Sequence, residues 1–352
     1  MLGPVNVEMI VLGRQSRGWS QDVLARKVGR SAALLSRIEH GITGVTLPVI
    51  EDIAAALRYP TSFFFRSERV RGSDSICFHH RKRESMPVKL LTTIEAQMHV
   101  TQLQVSRLLE DLEIESPNTF VTLDPDEYDR NPQRVAQMLR SLWRLPRGPI
   151  PNLVRVLEAA GCVVVFRHFG TPKLDGMSCW APRTPPLFFI NAAIPTDRAR
   201  LTLAHELGHL VMHSTAPGDP EAEANEFASE FLMPSADSAS DIRNLRFANL
   251  PGLKAKWRLS MAAIVMAASR RGTVPNAQSL WVQMSRHGYR AVEPYPIEGE
   301  RPTIVDKAMR VHVEEHDYSP EELAKLTDLY PEEFNSLYGK TSESYEALSI
   351  LS

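Results

Sequence analysis

Residues 197–211 read DRARLTLAHELGHLV, and the run His205-Glu206-Leu207-Gly208-His209 inside them constrains the chain more than any other stretch. Leu201, Leu203, Leu207, Leu210 and Val211 give the segment helical apolar periodicity on its other faces. On a helix, positions i and i+4 share a face, so His205 and His209 present imidazole nitrogens to one point, as a tetrahedral zinc ion requires. Glu206 falls beside the coordination position left open, where it can take a proton from water. Such a motif needs an apolar helical setting, a glycine that permits close packing, and a third ligand from downstream.

The downstream segment PEAEANEFASEFLMP (220–234) reads as a second helix closed by Pro234. It offers Glu221, Glu223 and Glu226. Glu221 is favoured as third ligand, because Asn225 at i+4 could then support a histidine from behind, and Glu223 stays open as the alternative. A solvated acidic helix start is the competing explanation of these residues. His213, four residues past His209, is read as a packing histidine. Upstream, the Pro-rich LPRGPIPN (145–152) opens a new texture: a helix NLVRVLEAAG, a β-branched run CVVVFRHF, a turn-rich segment, and a second strand at PLFFIN. This is α+β patterning around a small sheet.

Cys77, Cys162 and Cys179 are odd in number and lack CxxC spacing, which excludes a disulfide framework and a cysteine zinc site. The start of the chain has no basic n-region, and no window approaches the roughly 18 apolar residues of a membrane span. A cytoplasmic protein with no membrane partner is expected. At 43% apolar and 23% charged residues, a disordered or fibrous chain is excluded. The net charge of −2 hides an asymmetry: residues 1–90 hold 14 Lys/Arg against 8 Asp/Glu, whereas residues 291–352 hold 5 against 14. One end can meet phosphate and the other repels it.

The strings TLAHELGHLVMH and EAEANEFASEFLMP, with LEAAGCVVV before them, resemble the ImmA/IrrE family of zinc metallopeptidases over about residues 152–234. The resemblance implies a zincin-like domain with His205, His209 and Glu221 as zinc ligands and Glu206 as general base. It also implies a protein substrate, a helix-turn-helix repressor.

At the other end, SQDVLARKVGRSAALLSRIEHGI (20–42) resembles the XRE, or lambda-repressor-like, helix-turn-helix family over about residues 6–65. Ser20 stands at the N-cap of the first helix, and Gly13, Gly18, Gly29 and Gly41 punctuate the pieces. By position, Ala32, Ala33, Ser36 and Arg37 are implied to face base edges, and Gln21, Arg30 and Ser31 to face phosphate. Two alanines leave Arg37 as the main candidate for a guanine. Paired half-sites imply a homodimer.

The expected fold is mainly α with a small α+β part, in four stretches. They are a helix-turn-helix domain (1–70), a basic linker with connecting helices (71–148), a zinc peptidase domain (149–245), and a helical C-terminal region, acidic at its end (246–352). In the last, GLKAKWRLSMAAIVMAASRRG (252–272) could dock a substrate through Lys254, Lys256 and Arg258, but its apolar run favours simple packing. The expected function is a DNA-binding regulator fused to a zinc endopeptidase that cleaves a repressor-type protein, in a stress, mobile-element or toxin–antitoxin-like setting. Self-cleavage in the linker near residues 66–86 is a further expectation. The alternative is a non-proteolytic regulator whose peptidase-like domain senses a metal or ligand.

Overall fold

The computed structural model describes residues 4–67, 79–80 (backbone only), 86–110, 112, 116–181, 184–212, 219–243, 245–272, 277–290 and 292–339. Cys77 and His213 lie outside the described residues. Two compact units emerge, each built from separated segments: Met1–Asp74 with Glu84–Ile114 and Thr303–Ser352, and Ser75–Arg83 with Glu115–Pro302. This grouping differs from the linear four-part division, chiefly because residues from 303 onward join the N-terminal helices.

The first unit opens with α1 (Val7–Ser16), α2 (Gln21–Lys27), α3 (Ala32–Glu39) and α4 (Leu47–Leu57), then a 3-10 turn at Thr61–Phe65 and the long α5 (Val88–Leu109). Side-chain caps start the helices: Ser20 accepts from Val23 N and Ser31 from Leu34 N. Gly18, Gly29 and Gly41 have φ of +68°, +63° and +68°, the left-handed conformation glycine adopts without strain. Gly13 does not punctuate anything; it lies inside α1, where a Cβ would press on Leu57 and Phe63 at 3.3 and 3.4 Å. Leu24, Leu35, Ile38, Ile53 and Phe64 form the core, all at most 3% exposed. Arg14 closes the bundle through two bonds to the Glu39 carboxylate, at 2.6 and 2.8 Å.

In the second unit, β1 (His79–His80) precedes α6 (Pro132–Leu142), α7 (Leu153–Ala159), β2 (Val163–Arg167), β3 (Gly176–Cys179) and β4 (Leu187–Asn191). The sheet order is β1-β3-β4-β2, with β2–β4 parallel and the other two pairs antiparallel. Strand β3 falls in the segment expected to be only turns. It carries no β-branched run, and its place is set by close approach: a Cβ at Gly176 would lie 2.7 Å from Ile190 and 2.8 Å from Thr202. Next come α8 (Thr196–Met212), α9 (Pro220–Leu232), α10 (Ser235–Arg243), α11 (Leu250–Trp257), α12 (Met261–Arg270) and α13 (Ala277–Arg286). Helix α8 packs on β3 and β4, and α9 packs on α8 and α6. Lys254, considered for docking, is 2% exposed and bonds Asp197 and Glu293 at 2.7 and 2.9 Å, so it is part of the packing. Cys162 and Cys179 are fully buried free thiols, and burial pushes their pKa values up.

The last described elements, α14 (Ile304–His316), α15 (Pro320–Leu326) and α16 (Pro331–Tyr338), belong to the first unit. Most of their acids, Glu314, Glu315, Asp317, Glu321, Glu322 and Glu332 among them, are exposed, but two others are engaged by basic side chains of the same unit. Asp328, 1% exposed, accepts from Arg107, Arg66 and Ser62, and Glu333 holds Arg17 through two bonds at 2.5 and 2.8 Å. Opposite charges at the two ends of the sequence thus neutralise one another within one unit. Among the described residues, no helix is long and apolar enough to cross a membrane.

Candidate functional site

Fourteen residues of the 17-residue α8 are buried, polar ones included, and a buried polar group must find a partner. Those partners define the site. Asp197, in the first turn, takes Lys254, and Arg200 takes Glu300. Three further groups, His205, Glu206 and His209, lie at most 1% exposed in the last turns of the helix.

Nε2 of His205 lies 3.0 Å from Nε2 of His209, and the Glu221 carboxylate reaches them at 3.4 and 3.2 Å respectively. Glu221 comes from the first turn of α9, which Asp219 starts by accepting from Ala222 N. Of the two acids left open by the sequence, Glu221 is the one that joins the histidines. Asn225 does not support a histidine; its Nδ2 donates to the Glu221 backbone carbonyl at 2.6 Å, steadying the turn that carries the carboxylate. Gly208 brings α9 this close: a Cβ there would meet Phe227 at 3.0 Å and the Ala224 backbone at 3.3 Å. Hydrogen bonds with His205, then His209, hold the Glu221 carboxyl well below the usual carboxylate range, so it is an anion.

Three electron-pair donors converging on one point favour a cation there. Their mutual spacings lie near the roughly 3.3 Å edge of a tetrahedron whose arms are about 2.0–2.1 Å, the length of zinc–nitrogen and zinc–oxygen bonds. The set fits zinc. Nε2 of His205 is the ring nitrogen that faces the other two donors, and Nδ1 of the same ring is buried without a hydrogen-bond partner.

Glu206 Oε2 accepts a 2.8 Å bond from Ser178 Oγ on β3. The sequence reading missed Ser178, because it missed the strand. Gly176 two residues earlier was the available signal, since an isolated glycine between strands marks close backbone approach.

The helix-turn-helix residues fall as follows. Ala33 and Arg37 are exposed on α3, with Ala32 and Ser36 half-buried beside them, opposite the buried Leu35 and Ile38. Ser31 caps α3 and Arg30 pairs with Asp52 at 3.4 Å on the surface. Gln21 Nε2 donates to Glu39 at 2.7 Å, which ties the start of α2 to the end of α3.

Comparison with known families matches residues 157–269 to the IrrE N-terminal-like domain, a peptidase family, and residues 13–62 to a helix-turn-helix domain. No curated protein matches. The first match spans α8, α9 and the sheet from β2 to β4; the second spans α2 to α4. Together the two matches support an architecture in which a helix-turn-helix domain is fused to an IrrE N-terminal-like peptidase domain.

Proposed function

We propose that this protein is a DNA-binding regulator whose second unit is a zinc endopeptidase acting on a regulatory protein, with a helix-turn-helix repressor as the substrate class. The convergence of His205, His209 and Glu221 beside a buried Glu206 carries the reading. Bound by those three residues, zinc would polarise the scissile carbonyl and make water a nucleophile near neutral pH. Glu206 accepts the proton of the attacking water and returns it to the leaving amine. Ser178 orients the Glu206 carboxylate by occupying Oε2. Elemental analysis tests the site: about one zinc per chain is expected in the wild type and close to none in His205→Ala. A metal-free wild type after incubation with zinc would defeat the reading.

DNA contact is assigned to the exposed face of α3. Arg37 is exposed on the last turn of α3 and supplies the charge and fork geometry that reads guanine. Arg37→Ala should weaken binding to the cognate operator by about 1–3 kcal/mol and relax discrimination at one base pair. Equal loss on every sequence would make Arg37 a phosphate contact instead.

A second reading, a ligand sensor without proteolysis, is favoured by one observation. A cavity of about 350 Å³ is lined by Val154, Phe166, Ile194, Leu203, Arg200 and Glu300, so a molecule bound there would touch the helix that carries the histidines.

A further inference from the structure

The cavity of about 350 Å³ in the second unit lies on the side of α8 turned away from the histidines. Its lining takes Thr196, Ala199, Arg200 and Leu203 from α8, at three- and four-residue spacing and hence from one face. At 3.6 residues per turn, His205 and His209 sit about 150° round the helix from that face. The cavity is therefore separate from the histidine cluster but shares its helix. We infer that it binds a small amphipathic carboxylate, with an apolar body of about a dozen non-hydrogen atoms lying on Val154, Phe166 and Leu203 and its anionic head at Arg301. The inference deepens the sensor reading above by naming a ligand class, and it rests on that reading for the consequence of binding.

Three features set the chemical class. The floor is apolar: Val154, Ala199 and Leu203 are at most 4% exposed, and half-buried Phe166, Ile194 and Pro302 continue it toward the mouth. What a ligand covers there is hydrocarbon, and covering it is favourable. Size follows from volume, since a cavity of roughly 150 Å³ with an apolar lining takes one benzene and this one takes about twice as much carbon. The polar lining selects the head group. Arg200 and Glu300 are both in the wall but are engaged with each other and with backbone. Glu300 also accepts from Leu153 N and Val154 N at 2.7 and 3.0 Å, and Arg200 donates to the carbonyls of Ile150 and Arg258 at 2.7 and 3.0 Å. Arg301 is exposed and forms no ion pair among the described residues, so two arginines against one glutamate leave the lining a single positive charge. The Thr196 hydroxyl is a further donor in the same wall. A carboxylate matches a guanidinium fork in shape as well as in sign, whereas a cationic head would be repelled by it.

The test uses the full chain, supplied with zinc, and three probes of one chain length: decanoate, decan-1-ol and decylammonium. Calorimetry is expected to show a single decanoate per chain with a Kd below about 1 mM, and tighter binding of decanoate than of either other probe. Arg301→Glu, a change at an exposed position, should weaken decanoate by about tenfold or more and leave decanol unchanged. Ala192→Trp, at an exposed lining position, should fill the mouth and remove decanoate binding. The proposal is overturned by the absence of saturable decanoate binding, by equal or tighter binding of either other probe, by an Arg301→Glu effect no larger on decanoate than on decanol, or by decanoate binding that survives Ala192→Trp. Hydrogen exchange on the wild type locates the site should the tryptophan variant not fold. Decanoate is expected to slow exchange at residues 299–301 and in the first turns of α8, and protection confined to other segments overturns the proposal. Operator binding and proteolysis, each measured with and without decanoate, form a separate arm. Decanoate bound at this site with both unchanged would defeat the sensor reading and leave the site standing.

Discussion

Glu206→Gln lowers proteolysis by about 10²–10⁴-fold while zinc content and operator binding stay at wild-type levels. The asymmetry follows from where Glu206 sits. It is one residue from His205 but does not join the His205–His209–Glu221 cluster, and its Oε2 is held by Ser178. Glutamine keeps the shape and can still accept from Ser178 Oγ, so the helix and the cluster are undisturbed, but an amide cannot take a proton from water at neutral pH. Comparing the proteomes of cells that carry the wild type and the variant checks this and finds the substrate, because a protein destroyed by the wild type accumulates in the variant. Identical proteomes, with zinc bound in both, would favour the sensor reading, to which Glu206 should matter little.

What the sequence discloses and what it conceals divide along the range of the interactions involved. The pairing of His205 with His209 is a helix repeat, four residues long, and could be read directly. So could the cap at Ser20 and the buried Leu35 and Ile38 of the helix-turn-helix, whereas Ser31, read as a phosphate contact, caps α3. The choice between Glu221 and Glu223 could not. Both lie in the first turn of α9, two residues apart and so on different faces, and the helix phase is set by its contact with α8, where Gly208 admits Phe227. Ser178 was hidden for a related reason: β3 is a strand because Gly176 fits between Ile190 and Thr202, contacts with residues 14 and 26 positions away. The pairing of the acidic end was hidden as well. Its charges were counted correctly, but Asp328 and Glu333 meet Arg66, Arg107 and Arg17 across more than 200 residues, and charge arithmetic along a chain contains no such pairing. One consequence reaches function. Arg17 and Arg66 are engaged by carboxylates of their own unit, so the positive charge left for DNA is smaller than the first 90 residues suggest, and Arg37 carries a larger share of it.

The largest loss of stability is expected from Glu300→Ala, about 3–5 kcal/mol. Glu300 is 8% exposed and serves two helices: Oε1 takes the guanidinium of Arg200, while Oε2 accepts from Leu153 N and Val154 N at 2.7 and 3.0 Å, the first amides of α7. Removing it strands a guanidinium that is 1% exposed and leaves the Leu153 and Val154 amides without their acceptor, although Asn152 still caps α7 through Arg155 N. Arg200 keeps two carbonyl acceptors, those of Ile150 and Arg258 at 2.7 and 3.0 Å, but no countercharge of comparable proximity. Burial already depresses the Arg200 pKa, and Glu300 is what opposes that pull. Because Arg200 is five residues before His205 on α8, the damage should reach the cluster, so urea unfolding followed by release of zinc is the measurement of choice. The expected signature is an earlier midpoint at which structure and zinc are lost together. Replacing Arg200 and Glu300 together by apolar residues of similar volume should recover much of the loss, since the stranded charge is then gone and the unpaired Leu153 and Val154 amides remain as the residual cost. A Glu300→Ala midpoint within about 0.5 kcal/mol of wild type, the range of ordinary surface substitutions, would mean that water enters to solvate Arg200 and that the pair does not hold α8 in place.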